Sequence, residues 1–231
     1  MMSRWHEETL PDVLPDGPME IAVQWFQHAV DGRVQPNPDA MVLASADRTG
    51  KPSARVVLCK RFIVDPGYVV FFTNYDSRKG RELAERPDVA AVFHWDSLRR
   101  QIRIEGSVTR SPDHESDEYF AARAWQSRIG AWASRQSEPV SSREALLRSV
   151  SQTASRFGAA FADGRFVGPG DAARIPRPTF WGGYRLWIDR LELWTEGAGR
   201  VHDRALWRRD LHRIDGDRCE TGPWECCRLQ P

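Results

Sequence analysis

The chain is poor in cysteine, with four in 231 residues and no C-x-x-C pair among them. Cys59, Cys219, Cys226 and Cys227 have no histidine at zinc-finger spacing, so no metal site is expected. A bridge between the neighbours Cys226 and Cys227 would be strained, and free thiols in a reducing cytoplasm are the simpler reading. No apolar run reaches the length of a signal peptide or a membrane span. The expectation is therefore a soluble, cytoplasmic protein that works away from membranes. An excess of charge of either sign is also missing: 33 basic residues face 32 acidic ones, for a net charge of +1. A global field for nucleic acid is excluded, and any anion site must be local. Glycine-rich nucleotide loops, H-E-x-x-H and a Ser-His-Asp order are absent as well. "HEETL" at residues 6–10 lacks the second histidine.

What the chain has is apolar and aromatic mass. Hydrophobic residues make up 41%, enough for a packed core, and ten are tryptophan. Such a count suits either a flat ligand or a Trp-rich interior. Residues 1–17 are polar and proline-rich and read as a flexible arm; residues 18–231 read as a single domain. "PMEIAVQWFQHAVDG" sets Ile21, Ala22, Trp25, Phe26, Ala29 and Val30 on one helical face. Strands follow at 40–46, 53–64 and 68–74, separated by the turns "DRTGKP" and "DPG". A helix at 77–86 and strands at 88–95 and 100–110 come next. Residues 112–125 read as one helix. "SSREALLRSVSQTASRF" reads as another, with a Ser141/Glu144 capping box and a stripe of Leu147, Val150, Ala154 and Phe157. Residues 158–178 read as loop, and the tail returns to strand. Strands that meander in hairpins predict a mainly β (α+β) fold, a closed antiparallel barrel with peripheral helices.

Four stretches could carry chemistry. In "TNYDSRKGRELAER" a strand runs into a helix whose first turn holds Arg78 and Lys79, cations where the helix dipole is already positive. Either a phosphate sits there or both side chains point into water. In "SARVVLCKR", Arg55 and Lys60 have opposite parity and face opposite ways unless a bulge intervenes. In "EYFAARAWQSRIGAW", Tyr119, Arg123 and Ser127 fall at i, i+4 and i+8, in line if the helix continues. A phenol, a guanidinium and a hydroxyl suit a phosphomonoester, or form an ordinary half-exposed face. "SRQSE" then adds Gln136 and Ser137. In "GRVHDR", Arg200, His202 and Arg204 alternate, which on a strand puts them on one face about 6.7 Å apart. A solvated edge strand explains that as well as a ligand does. With two anion sites and no protein nucleophile, an organic cofactor is the natural inference.

Taken in order, "RVVLCK", "FFTNYDSRKGREL", "RRQIRIEG", "EYFAAR", "FWGGYRL", "LELW", "RVHDR" and the terminal "RLQP" resemble the pyridoxine (pyridoxamine) 5′-phosphate oxidases over residues 18–231. The resemblance implies an FMN-binding split barrel acting as a homodimer, with FMN in clefts between subunits. It implies oxidation of pyridoxamine 5′-phosphate or pyridoxine 5′-phosphate to pyridoxal 5′-phosphate, with O2 as acceptor. Carried over by motif position, Arg55, Val56, Val57, Leu58, Lys60, Phe72, Thr73, Arg78, Lys79, Gln101, Gln136, Ser137, Trp194 and Arg204 would contact FMN. Lys60, Tyr119, Arg123 and Ser127 would grip the substrate phosphate. Arg200 and His202 would lie over the substrate ring as the catalytic pair, with Asp203 on the opposite face holding the strand. The chain departs from the family pattern at Ala124, where proline is usual, at Arg128, often glutamine, and at Cys59, usually aliphatic. An oxidase of dihydrophenazine-type aromatics on the same scaffold is one alternative, and a non-catalytic flavin or pyridoxal-phosphate carrier is another.

Overall fold

The computed structural model describes residues 9–168, 170 and 174–231. β1 (Ala40–Ala46), β2 (Pro52–Ile63) and β3 (Tyr68–Asn74) form successive antiparallel hairpins. The first turn is fixed by the Asp47 carboxylate, which accepts from the backbone N–H of Thr49 and of Lys51 at 2.9 and 3.1 Å. β4 (Asp88–Trp95) returns beside β1, and β5 (Arg100–Arg110) lies beside β4. β8 (Trp181–Thr195) then closes a six-stranded antiparallel barrel by pairing with β3 on one edge and β5 on the other.

β8 splits its labour. Residues 181–187 pair with β3, while residues 190–195 on that same edge pair with β9 (Asp203–Arg208). β12 (Glu225–Arg228) adds to β9 as an outer edge. β8 thus stays in the barrel through its pairing with β5, and its end carries β9 and β12 as a flap on the other edge. Where β5 shifts register between Glu105 and Gly106, a Cβ on Gly106 would stand 1.8 Å from the Trp187 carbonyl oxygen. Only glycine admits that approach.

Alternation decides what fills the barrel. Ile102 and Ile104 of β5, Met41 and Leu43 of β1 and Phe93 of β4 point inward and are fully buried, while Arg103 and His94 point out. Helix α1 (Met19–Asp31) caps the barrel with its predicted face, setting Phe26 edge-on to Phe93 at 5.7 Å. A second cluster of Phe120, Trp125, Ile129, Ala154, Ile175 and Trp181 forms where the later helices meet β8.

Several expectations change in detail. The helix expected over 112–125 is two, α3 (Asp113–Ala122) and α4 (Trp125–Ala133), divided by extended backbone at Arg123 (ψ 148°) and Ala124 (ψ 135°). Phe120 and Trp125 both enter the second cluster, yet five residues of continuous helix would turn them about 140° apart. The break brings both stripes onto one side. α5 (Arg143–Arg156) is capped by Ser142, which accepts from the Ala145 N–H at 3.0 Å, in place of Ser141. Of its expected stripe only Ala154 is buried; Leu147, Val150 and Phe157 are partly exposed. The expected loop over 158–178 contains a small hairpin, β6 (Ala160–Ala162) with β7 (Arg165–Val167). The cysteine-rich stretch before the tail forms a second, β10 (Leu211–Asp215) with β11 (Arg218–Thr221).

Residues 1–8 of the expected arm, with Pro169 and residues 171–173 of the expected loop, lie outside the described residues. From Leu10 onward the arm is a strap on the flap. Leu10 is buried, its N–H donates to Asp203 at 2.7 Å, and Trp207 Nε1 donates to the Pro15 carbonyl at 2.9 Å.

Candidate functional site

A cavity of about 830 Å³ opens between β2, β3, the start of helix α2 (Arg78–Glu85) and α4. It gathers Arg55, Val56, Val57, Leu58, Lys60, Phe72, Thr73, Arg78, Lys79, Tyr119, Arg123, Ser127, Gln136 and Ser137, all anticipated from the sequence.

The parity conflict between Arg55 and Lys60 is resolved in the backbone. β2 shifts register against β3 between Cys59 and Arg61, so Lys60 is the extra residue of a bulge. Cys59 beside it is buried, and burial pushes its thiol up to about 12. That makes it a packing residue and not a nucleophile. Lys60 Nζ pairs with Asp39 at 2.5 Å.

One end of the cavity gathers three cations and one carboxylate, and two of the cations pair with it. Glu82 accepts from Arg55 at 3.0 Å, Arg78 at 2.8 Å, Ser45 at 2.5 Å and Ser53 at 2.7 Å. Burial alone would raise the Glu82 carboxyl, but these donors outweigh it and hold it down to about 2. Lys79 has only neutral partners: Gln136 Oε1 at 2.8 Å, Thr73 Oγ1 at 3.0 Å and Ser77 Oγ at 3.3 Å. Burial, helped by the Arg55 charge, lowers the Lys79 ammonium to about 8. Ser77 caps α2 through the Gly80 N–H. Three cations against one carboxylate leave two positive charges, which match a phosphate dianion.

At the other end the rings of Phe72 and Tyr119 stack at 3.9 Å, and Trp181 extends the stack at 5.6 Å from Phe72. Arg123 lies with its guanidinium 4.7 Å from the Trp181 ring, and its Nη1 is buried without a hydrogen-bond partner. Burial lowers the Arg123 guanidinium, so an anion here would meet a cation short of acceptors. Tyr119, Arg123 and Ser127 are not in line on one helix as expected. The α3–α4 break wraps them around the cavity wall instead. Between the two ends Val56, 64% exposed, and Leu58 offer an apolar surface.

Five anticipated residues lie elsewhere on the chain. Gln101 pairs across to Trp194, and Trp194 to Arg204. Trp181 and Trp194 stand at opposite ends of β8, roughly 40 Å apart along the strand. The alternation of Arg200, His202 and Arg204 on one strand does not hold. β9 begins only at Asp203, and Arg200 ends a 3-10 turn with φ 67°. Asp203 and Arg204 are engaged within the chain. Asp203 accepts from Leu10 and Arg228; Arg204 pairs with Glu192 at 2.8 Å and donates to the Gln230 carbonyl at 2.9 Å. The His202 ring lies 4.6 Å from that of Trp194, and Arg200 is exposed.

Sequence reasoning missed Trp181, Glu82, Ser45 and Ser53. The i, i+4 spacing of Arg78 and Glu82 was a signal for one of them. The serines are brought in only by the β1–β2 register, in which Ser45 faces Ser53. Among the described residues no group of three or more His, Cys, Asp or Glu is placed to hold a metal, and no helix is long and apolar enough to cross a membrane.

Residues 26–157 match the family model described as pyridoxamine 5′-phosphate oxidase, and residues 181–231 match that of the pyridoxine 5′-phosphate oxidase C-terminal dimerisation region. A pyridoxine/pyridoxamine 5′-phosphate oxidase of Burkholderia pseudomallei is 42% identical over 220 residues, covering 95% of this chain and 91% of that protein. Among solved structures, PhzG from Burkholderia lata in complex with tetrahydrophenazine-1-carboxylic acid superposes with a TM-score of 0.77 at 28% identity, over 95% of this chain and 98% of that one. A pyridoxamine 5′-phosphate oxidase-related, FMN-binding protein from Nostoc punctiforme shares the fold, with a TM-score of 0.64 at 15% identity over 93% and 98% of the two chains.

Proposed function

The chain belongs to the pyridoxamine 5′-phosphate oxidase family, and from that premise we propose that it oxidises pyridoxamine 5′-phosphate and pyridoxine 5′-phosphate to pyridoxal 5′-phosphate. It is a flavin-dependent oxidoreductase with the split-barrel fold, and FMN is its cofactor. The residues present fit that group. Arg55, Arg78 and Lys79 carry the charge for its phosphate, and exposed Val56 and Leu58 offer a surface for a flat ring. Bound there, FMN would supply the acceptor for the hydride equivalent leaving the substrate C4′ carbon, with O2 reduced to hydrogen peroxide; for the amine substrate, water would hydrolyse the resulting imine to the aldehyde and ammonia.

The observation that carries the substrate assignment is the second anion grip. Arg123 Nη1 is buried and unpartnered in the wall of a cavity that already holds a separate cationic end. A phosphorylated pyridine satisfies it: Arg123 supplies the charge, Tyr119 and Ser127 donate, and Lys60 closes the other side. Arg200 and His202 complete the site from a second copy, because their own chain holds them at the far end of β8. The dimerisation region spans that end of the chain and includes them. In this homodimer the Arg200 guanidinium positions the substrate ring by donating hydrogen bonds, and the His202 imidazole hydrogen-bonds the C4′ substituent. The setting is vitamin B6 salvage or biosynthesis in the cytoplasm, in keeping with free thiols.

A second reading is favoured by the aromatic wall of Phe72, Tyr119 and Trp181 together with the likeness to PhzG: a tricyclic carboxylate could satisfy Arg123. Oxygen uptake by the FMN-loaded protein separates the two. Rapid uptake with pyridoxamine 5′-phosphate, with pyridoxal 5′-phosphate formed, is expected. Turnover of a dihydrophenazine carboxylate alone would transfer the assignment, and turnover of neither would leave a carrier.

A further inference from the structure

We propose that Glu82 is the positioning residue of the cofactor end, a buried carboxylate that fixes Arg55 and Arg78 for a phosphate and leaves Lys79 to the ligand. A carboxylate inside an anion site opposes the anion by its charge, so its presence there calls for a reason. Glu82 is not a solvated bystander: only 4% of its side chain is exposed. It takes donors from three elements, Ser45 on β1, Ser53 and Arg55 on β2, and Arg78 one turn earlier on α2. Arg55 comes from a strand whose odd positions turn from the exposed face, and Arg78 is half exposed. Arg55 also donates to the Leu43 carbonyl at 3.3 Å and to the Ser45 and Ser53 hydroxyls, and Glu82 adds its charge partner; Arg78, without that carboxylate, would sample water through several rotamers, and a phosphate would have to order it.

Lys79 is set apart by the same geometry. A Cβ on Gly80 would stand 2.0 Å from the Tyr75 carbonyl oxygen, so the first turn of α2 lies tight against the end of β3. Lys79 therefore reaches Thr73 at the end of β3 and Gln136 in the loop after α4, and makes no ion pair with Glu82. The site holds two arginines already oriented by a protein carboxylate and one lysine with only neutral partners. Glu82 spares the ligand the ordering of the arginines, and the third cation keeps the balance positive.

The inference rests on the reading that the FMN phosphate binds at Arg55, Arg78 and Lys79, and its test distinguishes the two. FMN is titrated into apo-protein at constant ionic strength, with flavin fluorescence as the readout and apo-protein melting as the control for folding. Glu82→Gln keeps the shape but loses the charge that holds two guanidiniums, and at least tenfold weaker FMN binding is expected with apo melting retained. If Glu82 only damps the positive field, the same variant binds FMN tighter; that result, or unchanged affinity, overturns the proposal. Should Glu82→Gln not fold, Glu82→Asp keeps the charge but draws the carboxylate back from Arg55 and Arg78. Weaker FMN binding then supports the proposal and unchanged binding overturns it. Arg55→Ala is the separating arm. No loss of FMN affinity there sinks the phosphate reading itself, whereas loss there with none in Glu82→Gln sinks only the role of Glu82.

Discussion

The guanidinium of Arg123 lies over the Trp181 ring, 4.7 Å from its centroid, and one of its nitrogens is buried without a hydrogen-bond partner. The contact sets both where the charge sits and how little it is hydrated. A cation held this way is attracted by the ring quadrupole, by ~0.5–2 kcal/mol. Trp181→Phe keeps a ring but shrinks the platform, so KM for pyridoxamine 5′-phosphate should rise about two- to tenfold while FMN affinity stays unchanged. Arg123→Lys should fare worse than its retained charge suggests, because an ammonium cannot lie flat on the ring. Steady-state kinetics beside an FMN titration checks both.

The two cationic ends predict a division of labour. Arg55→Ala should mainly weaken FMN, and Arg123→Ala should mainly raise KM with FMN still bound. Each removes a charged hydrogen-bond partner and should cost ~1.5–3 kcal/mol, about ten- to 150-fold in affinity. Equal loss of flavin in both variants would contradict the two-phosphate reading.

Lys79 gives the pH dependence. Its ammonium is lowered to about 8, while an unfolded lysine titrates near about 10.4. In apo-protein the cost of burying the charge is fully present below pH 8 and fades as pH rises from there towards the unfolded value. A phosphate dianion reverses that preference, so FMN binding takes up a proton above pH 8. FMN affinity should fall by about tenfold from pH 7 to pH 9, and Lys79→Met should flatten the profile. Titrations across that range at fixed ionic strength measure the slope.

The thiols are predicted to divide two and two. Cys226 and Cys227 are exposed on β12, whereas Cys59 and Cys219 are buried, and burial raises both buried thiols. A thiol reagent added to native protein at pH 8 should label two groups fast and the others only on unfolding. Fast labelling of Cys59 would contradict the packing around the β2 bulge.

How much of this was legible in sequence depended on how local the cause was. The Asp47 turn and the alternation of Ile102 and Ile104 are written in adjacent residues, and the barrel strands were readable with them. The break at Arg123 was not, because it answers to where Trp125 and Ile129 must be buried, on a surface supplied by later elements. Lys60 could be placed only conditionally, since nothing local announces the bulge. The strand expected at Arg200–Arg204 failed because alternation in a short polar stretch does not fix a backbone, and a left-handed Arg200 ends the pattern. The ring of donors around Glu82 needed the pairing of Ser45 with Ser53, which is a matter of register.

The distance between the two halves of the anticipated site carries the last prediction. Arg55 lines the cavity, and Arg204 sits beside Trp194 at the far end of β8. If a second copy brings them together, each site takes its cavity from one chain and its flap from the other. Arg55→Ala and Arg204→Ala should each lose most activity as pure proteins. In a dimer of one variant with the other, one site inherits both lesions and its twin inherits neither. Equal amounts co-refolded at random give half mixed dimers with half their sites intact, so about one quarter of wild-type activity should return. A site built within one chain offers no such rescue, and activity that stays at the level of the parents would show that the halves do not meet across a dimer.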